Sequence, residues 1–307
     1  MDQNTSAALP SQGKLVEGLF YGLIVAFLWG CWLAVSYQGI ARGMSAWDLA
    51  LIRYCTAGLL LCPLLVLNKA VYHIRWYKSL LLCLLAGPLL LWFALGGYSD
   101  SPLVHGAFLQ LTVLIFCSML FSTLILKEKF SWSWITGVIV LLSGLTLIVE
   151  PGWQYGMHYF YDDLMFIGSG IMLAVFILLV RLWHISAMSA LILVSVYSAL
   201  FYVPLYLFFK GPWYLLMLDA ALLWEQVLVQ GLLSGVVALF AFSKAAHCLG
   251  TRRAAMFPAL SPAIALGLGI PFSGQLPGNA QYAGVLLVLS GFVIALLNTP
   301  KKLAAEP

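Results

Sequence analysis

The chain has 307 residues, of which 63% are hydrophobic and 8% are charged, and its mean hydropathy is +1.00. Soluble proteins carry about 25% charged residues, so this composition excludes a soluble globular protein and predicts an integral membrane protein. The net charge of +4 is too small to indicate nucleic-acid binding by itself, and we expect no nucleic acid among the partners.

Ten apolar stretches of about 20 residues, the length that crosses a bilayer, follow one another along the chain. The first five predicted helices lie at about 18–37, 47–67, 79–98, 103–126 and 132–149. The next five lie at about 162–180, 187–209, 224–246, 252–273 and 279–297. We therefore expect an all-α membrane protein with ten transmembrane helices and polar tails at 1–17 and 299–307.

Arg53 is an ionisable residue two turns into predicted helix 2. A charge inside the bilayer is costly, so such a group normally faces protein or water and has a partner. Arg53 could bind a substrate carboxylate, or it could form a structural ion pair with Asp48 or Asp100 at the same level of the membrane. We favour the structural role.

Prolines predict bends in two helices, because each removes a backbone hydrogen bond. Pro88, with Gly87 before it, lies in predicted helix 3, and Pro258 and Pro262 lie in predicted helix 9. His105, one turn into predicted helix 4, could gate the solute path or sense protons. The alternative is a simple hydrogen bond from this histidine to a neighbouring backbone carbonyl.

Predicted helix 5 contains a segment that the chain repeats. Residues 137–149, GVIVLLSGLTLIV, return 147 positions later at 284–296 as GVLLVLSGFVIAL. The glycines of each copy are seven residues apart, about two helical turns, so they share a face on which a neighbouring helix can approach closely. We infer an internal duplication of 18–149 and 162–298, joined by a loop at 150–161.

The basic residues predict the orientation, because cytoplasmic loops are enriched in lysine and arginine. If the amino terminus is cytoplasmic, twelve of the fifteen lysines and arginines fall in cytoplasmic segments. Arg42 and Lys210 then fall in outer segments, and Arg53 lies within a helix. Both termini are therefore predicted to be cytoplasmic. Five crossings in each half then predict that the two repeats are inverted.

The sequence offers little for catalysis or metal binding. The six cysteines lie within or at the ends of predicted helices, where they resemble apolar packing residues more than disulfides or metal ligands. Phosphate-binding and dinucleotide-binding glycine motifs are absent. His158, Asp162 and Asp163 are close in sequence, but they have no further ligand nearby. We expect no cofactor, no metal and no enzyme activity.

Three stretches resemble the EamA-type branch of the drug/metabolite transporter superfamily. They are GLIVAFLWGCW at 22–32, SAWDLALIRYCTAGLLLCPLL at 45–65 and LILKEKFSWSWITGVIVLLSG at 124–144. They carry a Trp-Gly in helix 1, Arg53 in helix 2 and an acidic turn at Glu128. The second copy departs from the pattern, with Gln275 in place of the carboxylate, and Ile115 stands where Pro262 has its counterpart in the first copy.

The resemblance implies a central cavity lined by helices 1, 3, 4, 6, 8 and 9. Gln110 and Gln230 are the sharper candidates there, because an amide in hydrocarbon needs a partner, although interhelical hydrogen bonding would satisfy them equally. The aromatic candidates could instead be packing residues. The full set of substrate-binding candidates is Trp29, Trp92, Gln110, Thr112, Met172, Gln230, Phe257 and Ser261.

The middle third of every predicted span lacks aspartate and glutamate. A proton-driven pump that binds cationic drugs through a central carboxylate is therefore not expected. We expect an inner-membrane permease that exports small organic metabolites, amino acids and especially aromatic ones, by alternating access at the repeat interface. A multidrug efflux transporter is the alternative within transport, and a membrane-embedded enzyme or scaffold is the alternative from another class. Whether the protein is a monomer or a homodimer is left open.

Overall fold

The computed structural model describes residues 12–99, 101–127, 131–149, 160–211, 213–273 and 278–297, and all its regular elements there are helical. Asp100, Glu128, His158, Gln275 and most of the loop 150–161 lie outside the described residues, so the expectations placed on them are not addressed further.

Ten helical units, α1 to α10, follow the ten predicted spans. In the first half they are α1 Gln12–Ala41, α2 Ala46–Leu67, α3 Trp76–Gly96, α4 Leu103–Leu124 and α5 Trp132–Val149. In the second half they are α6 Phe160–Leu182, α7 Ala187–Phe209, α8 Ala220–Leu249, α9 Ser261–Ser273 and α10 Asn279–Leu297. Within the described ranges, nine helices are long and apolar enough to cross a membrane, and α9 is shorter.

The amino-terminal end of α1 corrects the predicted tail. The helix begins at Gln12, inside the tail expected at 1–17. Leu15 and Leu19 lie one turn apart and both pack against the apolar cluster formed by α5, α9 and α10. This contact stabilises the first turns of α1, which the polar composition of that segment does not predict as helix.

The predicted bend in helix 3 is confirmed. α3 consists of two segments, Trp76–Ala86 and Pro88–Gly96, separated by Gly87 in an extended conformation with φ −92° and ψ −151°. Pro88 is the first residue of the second segment, where its missing N–H is not needed. The hydroxyl of Tyr54 on α2 donates to the Ala86 carbonyl at 2.8 Å, which supplies a partner at the break.

α8 contains an irregularity that the sequence pattern did not predict. Between the α-helical segments Ala220–Gln226 and Ala238–Leu249, the residues Val227–Val237 form a π-helix. π-helical stretches are rare in proteins, and those that do occur are often found at functional sites. The offset of 147 residues between the two similar sequence segments carries Gly87 of α3 to position 234, inside this π-helix.

The continuous helix predicted at 252–273 is wrong. The chain forms a short helix Thr251–Ala254, a 3-10 turn Phe257–Leu260 and then α9. Pro258 lies at the start of the 3-10 turn, and Pro262 lies in the first turn of α9, where a proline is tolerated. The interruption therefore precedes Pro262, and this proline begins a helix instead of bending one.

The repeated glycines make the closest helix contact of this fold, between α5 and α10. A Cβ atom on Gly144 would lie 2.6 Å from the Gly284 carbonyl oxygen, and one on Gly137 would lie 2.5 Å from the Ala295 nitrogen. Gly291 faces the backbone of Leu141 in the same way. The predicted close approach is confirmed, the neighbour is the other copy of the motif, and the order of these contacts makes the two helices antiparallel.

The remaining helices pack around this pair and form two main apolar clusters. One joins α2, α3, α6 and α7 and includes Leu49, Leu95 and Phe166. The other joins α1, α5, α9 and α10 and includes Leu141 and Phe257. Each cluster draws residues from both halves of the chain, so neither half has a core of its own.

Replacing Gly291 by alanine should destabilise the protein, because its Cβ would meet backbone atoms of α5 that cannot move aside. We expect Gly291→Ala to lower the free energy of unfolding by about 1–3 kcal/mol, the usual cost of overpacking. Thermal unfolding of the purified protein in detergent measures this. Gly267→Ala is the matched control, since a Cβ there has no neighbour within 4 Å. Equal unfolding midpoints for the two variants would contradict the prediction.

Candidate functional site

A chain of buried polar side chains joins α1 to α8. The Gln230 amide is fully buried, and its Oε1 accepts a hydrogen bond from the Trp32 indole Nε1 at 2.6 Å. Its Nε2 donates to the Ser36 hydroxyl at 2.7 Å and to Oε1 of Gln226 at 3.3 Å. Both ends of the amide are therefore satisfied inside the bundle, as a polar group in hydrocarbon requires.

Gln226 extends this network along α1. Its side chain is fully buried and donates from Nε2 to the Val35 carbonyl at 2.9 Å. A Cβ on Gly39 would lie 2.9 Å from the same nitrogen, so the glycine leaves room for the amide. Gln226, Gln230 and Ser234 follow one another at intervals of four residues and are the polar side chains of the otherwise apolar segment 226–237 of α8.

Arg53 of α2 completes the network. Its Nη1 donates to the Ser234 hydroxyl at 2.8 Å, and its guanidinium carbon lies 5.7 Å from the centre of the Trp32 ring, a cation–π distance. Among the described residues it contacts no carboxylate. The network of Trp32, Ser36, Arg53, Gln226, Gln230 and Ser234 is called the polar seam below.

Of the two acidic residues considered as partners of Arg53, Asp48 has other partners instead, and Asp100 lies outside the described residues. Asp48 accepts hydrogen bonds from the backbone nitrogen and hydroxyl of Ser45 at 2.8 and 2.7 Å, as the N3 residue of a capping box in which Ser45 is the N-cap of α2. Lys210, just after α7, donates to its Oδ1 at 2.6 Å, and the Tyr206 hydroxyl donates to the same oxygen. The Asp48 carboxylate therefore connects α2 to α7, and its oxygens are engaged by these partners instead of by Arg53.

The polar seam lies where helices from both halves meet. Trp32 packs against a small apolar cluster of Leu33, Ala107 and Ala265, which belong to α1, α4 and α9. Trp32 therefore belongs to the contact region of α1, α4 and α9, and its indole bonds to α8. Trp32 and Arg53 are both half-buried. This position between the halves is where transporters built from repeats place their substrate sites.

The other aromatic candidates pack against protein neighbours. Trp29 stacks on Phe242, with ring centres 6.4 Å apart, and Trp92 stacks on Trp47 at 5.5 Å. Phe257 is fully buried, lies against Gly22 and meets the Phe292 ring edge-on at 5.1 Å. The buried Ser261 hydroxyl donates to the Ala26 carbonyl at 3.4 Å. These contacts attach α1 to α8 and α9, and α2 to α3.

Three further candidates line the contact of α4 with α6. Gln110 and Met172 are half-buried, and a Cβ on Gly170 would lie 2.7 Å from the Gln110 carbonyl oxygen. The Thr112 hydroxyl is buried without a hydrogen-bond partner in this part of the structure. Of the predicted set, the structure thus brings Arg53 and Gln230 into one network and distributes the others over separate helix contacts.

His105 pairs with a carboxylate. Its Nε2 lies 2.7 Å from Oδ1 of Asp163, which joins the beginning of α4 to the beginning of α6. The side chains are 17% and 32% exposed, so the pair is near the surface of the bundle. The described residues contain no group of three histidine, cysteine or acidic side chains that could hold a metal ion.

Two cavities lie away from the polar seam. One, of about 20 Å³, is lined by Ser118, Ser122 and Arg181 between α4 and α6. The other is an open groove of about 570 Å³ between α3 and α7, lined by apolar side chains such as Leu84 and Phe201. The groove faces outward, where a bilayer would cover it.

The residues that sequence reasoning missed are Trp32, Ser36, Gln226 and Ser234. A usable signal was present, because Trp32 and Ser36 are four residues apart and Gln226, Gln230 and Ser234 repeat the same interval. Residues at that spacing share a helix face. A polar stripe on each of two apolar helices predicts that the two stripes face each other and supply each other's hydrogen-bond partners.

Comparison with known proteins agrees with this fold. Residues 16–150 match the model of the EamA-like transporter family. The whole chain is similar to a protein of known crystal structure at 13% identity and a TM-score of 0.68, over 94% of this chain and 99% of that chain. A search of curated proteins gives no significant match. The first half of the chain is thus similar to the EamA-like transporter family, within the drug/metabolite transporter superfamily that the sequence resemblance implied. This match and the nine long apolar helices among the described residues support a multi-pass membrane protein.

The partner of Asp48 can be tested by a double-mutant cycle on thermal unfolding. We expect a coupling free energy of about 0.5–3 kcal/mol between Asp48→Asn and Lys210→Met, the range for residues in contact. The same cycle with Arg53→Gln in place of Lys210→Met should give a coupling near zero. A coupling of Asp48 to Arg53 as large as that to Lys210 would show that the assignment is wrong.

Proposed function

We propose that the protein is an inner-membrane permease that exports amino acids, aromatic ones in particular, by alternating access at the interface of two inverted repeats. The observation that carries this proposal is the polar seam, in which a cation, two amides, two hydroxyls and an indole meet between helices of both halves. An amino acid offers the matching groups, namely a carboxylate, an ammonium and an apolar or aromatic side chain.

The arrangement of the helices supports an inverted repeat. If α1 to α5 correspond to α6 to α10, each major contact has a counterpart: α1 on α9 matches α6 on α4, and α1 on α8 matches α6 on α3. The corresponding helices α5 and α10 touch each other in antiparallel fashion, as a two-fold axis in the membrane plane requires. Both termini are then cytoplasmic, as the basic residues predict.

The interrupted helices support alternating access. Transporters of this kind often carry broken helices at corresponding positions of the two repeats, next to the substrate. Here those helices are α3, broken at Gly87, and α8, with the π-helix that carries Gln230 and Ser234. Such irregular points allow one half to rock against the other with little change elsewhere.

Transport in liposomes tests the proposal. The purified chain, reconstituted in proteoliposomes and preloaded with unlabelled amino acids, should give saturable counterflow of at least one labelled amino acid, with and without a pH gradient. Gln230→Leu should reduce this flux by about tenfold or more, because it leaves Trp32, Ser36 and Gln226 without their shared partner. Absence of saturable flux for every amino acid, in protein that remains monodisperse, would contradict the proposal.

The break in α3 provides a second test. Pro88→Ala restores a backbone N–H beside Gly87 and should favour a straighter helix, so we expect turnover to fall severalfold while the apparent KM changes little. Pro63→Ala is the matched control, because Pro63 lies within α2 and is exposed on its outer face. Equal turnover in the two variants would argue against a hinge at this position.

A further inference from the structure

We propose that Arg53 binds the carboxylate of the transported solute. This inference rests on the proposed function, because it assigns a chemical class of substrate and a binding residue to the same site. The sequence left this role open beside a structural ion pair with Asp48 or Asp100, and of these two Asp48 is engaged with Lys210.

The charge of Arg53 lies within the span Ala46–Leu67, where an uncompensated cation is costly. The acidic residue nearest to it on its own helix, Asp48, is fully buried and engaged with Lys210, Tyr206 and Ser45. Among the described residues, the neighbours of Arg53 are the Ser234 hydroxyl, the Trp32 ring and the Tyr54 phenol, and none of them is a carboxylate. An anionic ligand would compensate the charge.

The geometry of the guanidinium suits a carboxylate. Arginine presents five N–H donors in a planar fork, and two parallel hydrogen bonds to a carboxylate are its strongest mode of recognition. The bond to Ser234 is made by Nη1, so one side of the fork is anchored while donors remain for a ligand. The residue is half-buried, so its neighbours in the described part of the structure do not enclose it completely.

The polar seam holds this fork in place. Trp32 lies under the guanidinium and is itself fixed by its hydrogen bond to Gln230. Ser234 belongs to the π-helix, so the anchor of Arg53 lies on the irregular part of α8. A site that is already oriented loses less entropy when the ligand binds. Trp32 and Ser234 are thus positioning residues, and Arg53 is the residue that touches the ligand.

The test compares a carboxylate with its uncharged analogue in proteoliposomes. Twenty labelled amino acids and a set of simple monocarboxylates are screened for counterflow, and the best substrate is competed with its own carboxamide. We expect the wild-type protein to prefer the acid over the carboxamide by at least about tenfold, the value of one charge-assisted hydrogen bond. In Arg53→Gln, the KM for the acid should rise by that factor, inhibition by the carboxamide should be unchanged, and the preference should disappear.

Two variants keep the result interpretable. Arg53→Lys retains the charge without the fork and should retain part of the preference. Arg42→Gln, which changes an exposed arginine at the end of α1, should behave as wild type. Thermal unfolding of each variant, with and without the acid, reports folding and binding independently of transport, and only proteins that contain Arg53 or Arg53→Lys should be stabilised by the acid.

The possible failures are distinguishable. Equal loss of acid and carboxamide transport in Arg53→Gln, or an unchanged preference, would overturn the role of Arg53 while leaving the transporter intact. Flux of cationic or neutral solutes alone would overturn the carboxylate class. Inhibition by inorganic phosphate but by no carboxylate would also overturn it. Absence of flux for every solute would overturn the proposed function, and absence of stabilisation by any carboxylate in that case would overturn this inference as well.

Discussion

The structure depends on the direct contact of two backbones, that of α5 and that of α10. Lipid tails are as apolar as leucine, so membrane helices gain little from burying large side chains against each other and associate instead through small residues that permit close approach. Gly137, Gly144, Gly284 and Gly291 meet this requirement on both sides of one interface. The two similar sequence segments are thus in contact with each other, and this contact joins α5 to α10.

The same solvent explains why the polar residues form a network. Every amide and hydroxyl in hydrocarbon needs a partner within the protein, and Gln230 has three, on α1 and α8. Satisfying them fixes α8 on α1 and thereby fixes the indole beneath Arg53. The requirements of folding and the orientation of the arginine are therefore met by the same hydrogen bonds.

The spans could be predicted because apolar length is a local property, and α5, α7 and α10 begin and end at the predicted residues. The errors arose where tertiary contacts decide. Pro258 and Pro262 are compatible with a bend within one helix and also with the beginning of a new helix. The structure has the new helix, and Phe257 beside it packs on Gly22. Asp48 and Arg53 are close together on α2. The Asp48 carboxylate nevertheless bonds to Ser45, in the capping box, and to Lys210, just after α7. Only Arg53 and Gln230 of the six residues of the polar seam were predicted, because the hydrogen bonds that join its helices link residues 181 to 198 positions apart.

The chemistry of the seam is less symmetric than the proposed fold. α7, the counterpart of α2, carries no charged residue, and α3, the counterpart of α8, carries no glutamine. Duplication can supply a scaffold in which two halves rock about a shared axis, but two equal halves would present the same groups to both ends of a solute. An amino acid has different ends. A site with its cation and amides on α2 and α8 can hold the carboxylate on one side and leave the other side for the apolar group, so divergence of the two copies would be what gives the path its preference for a polar solute with one charged end.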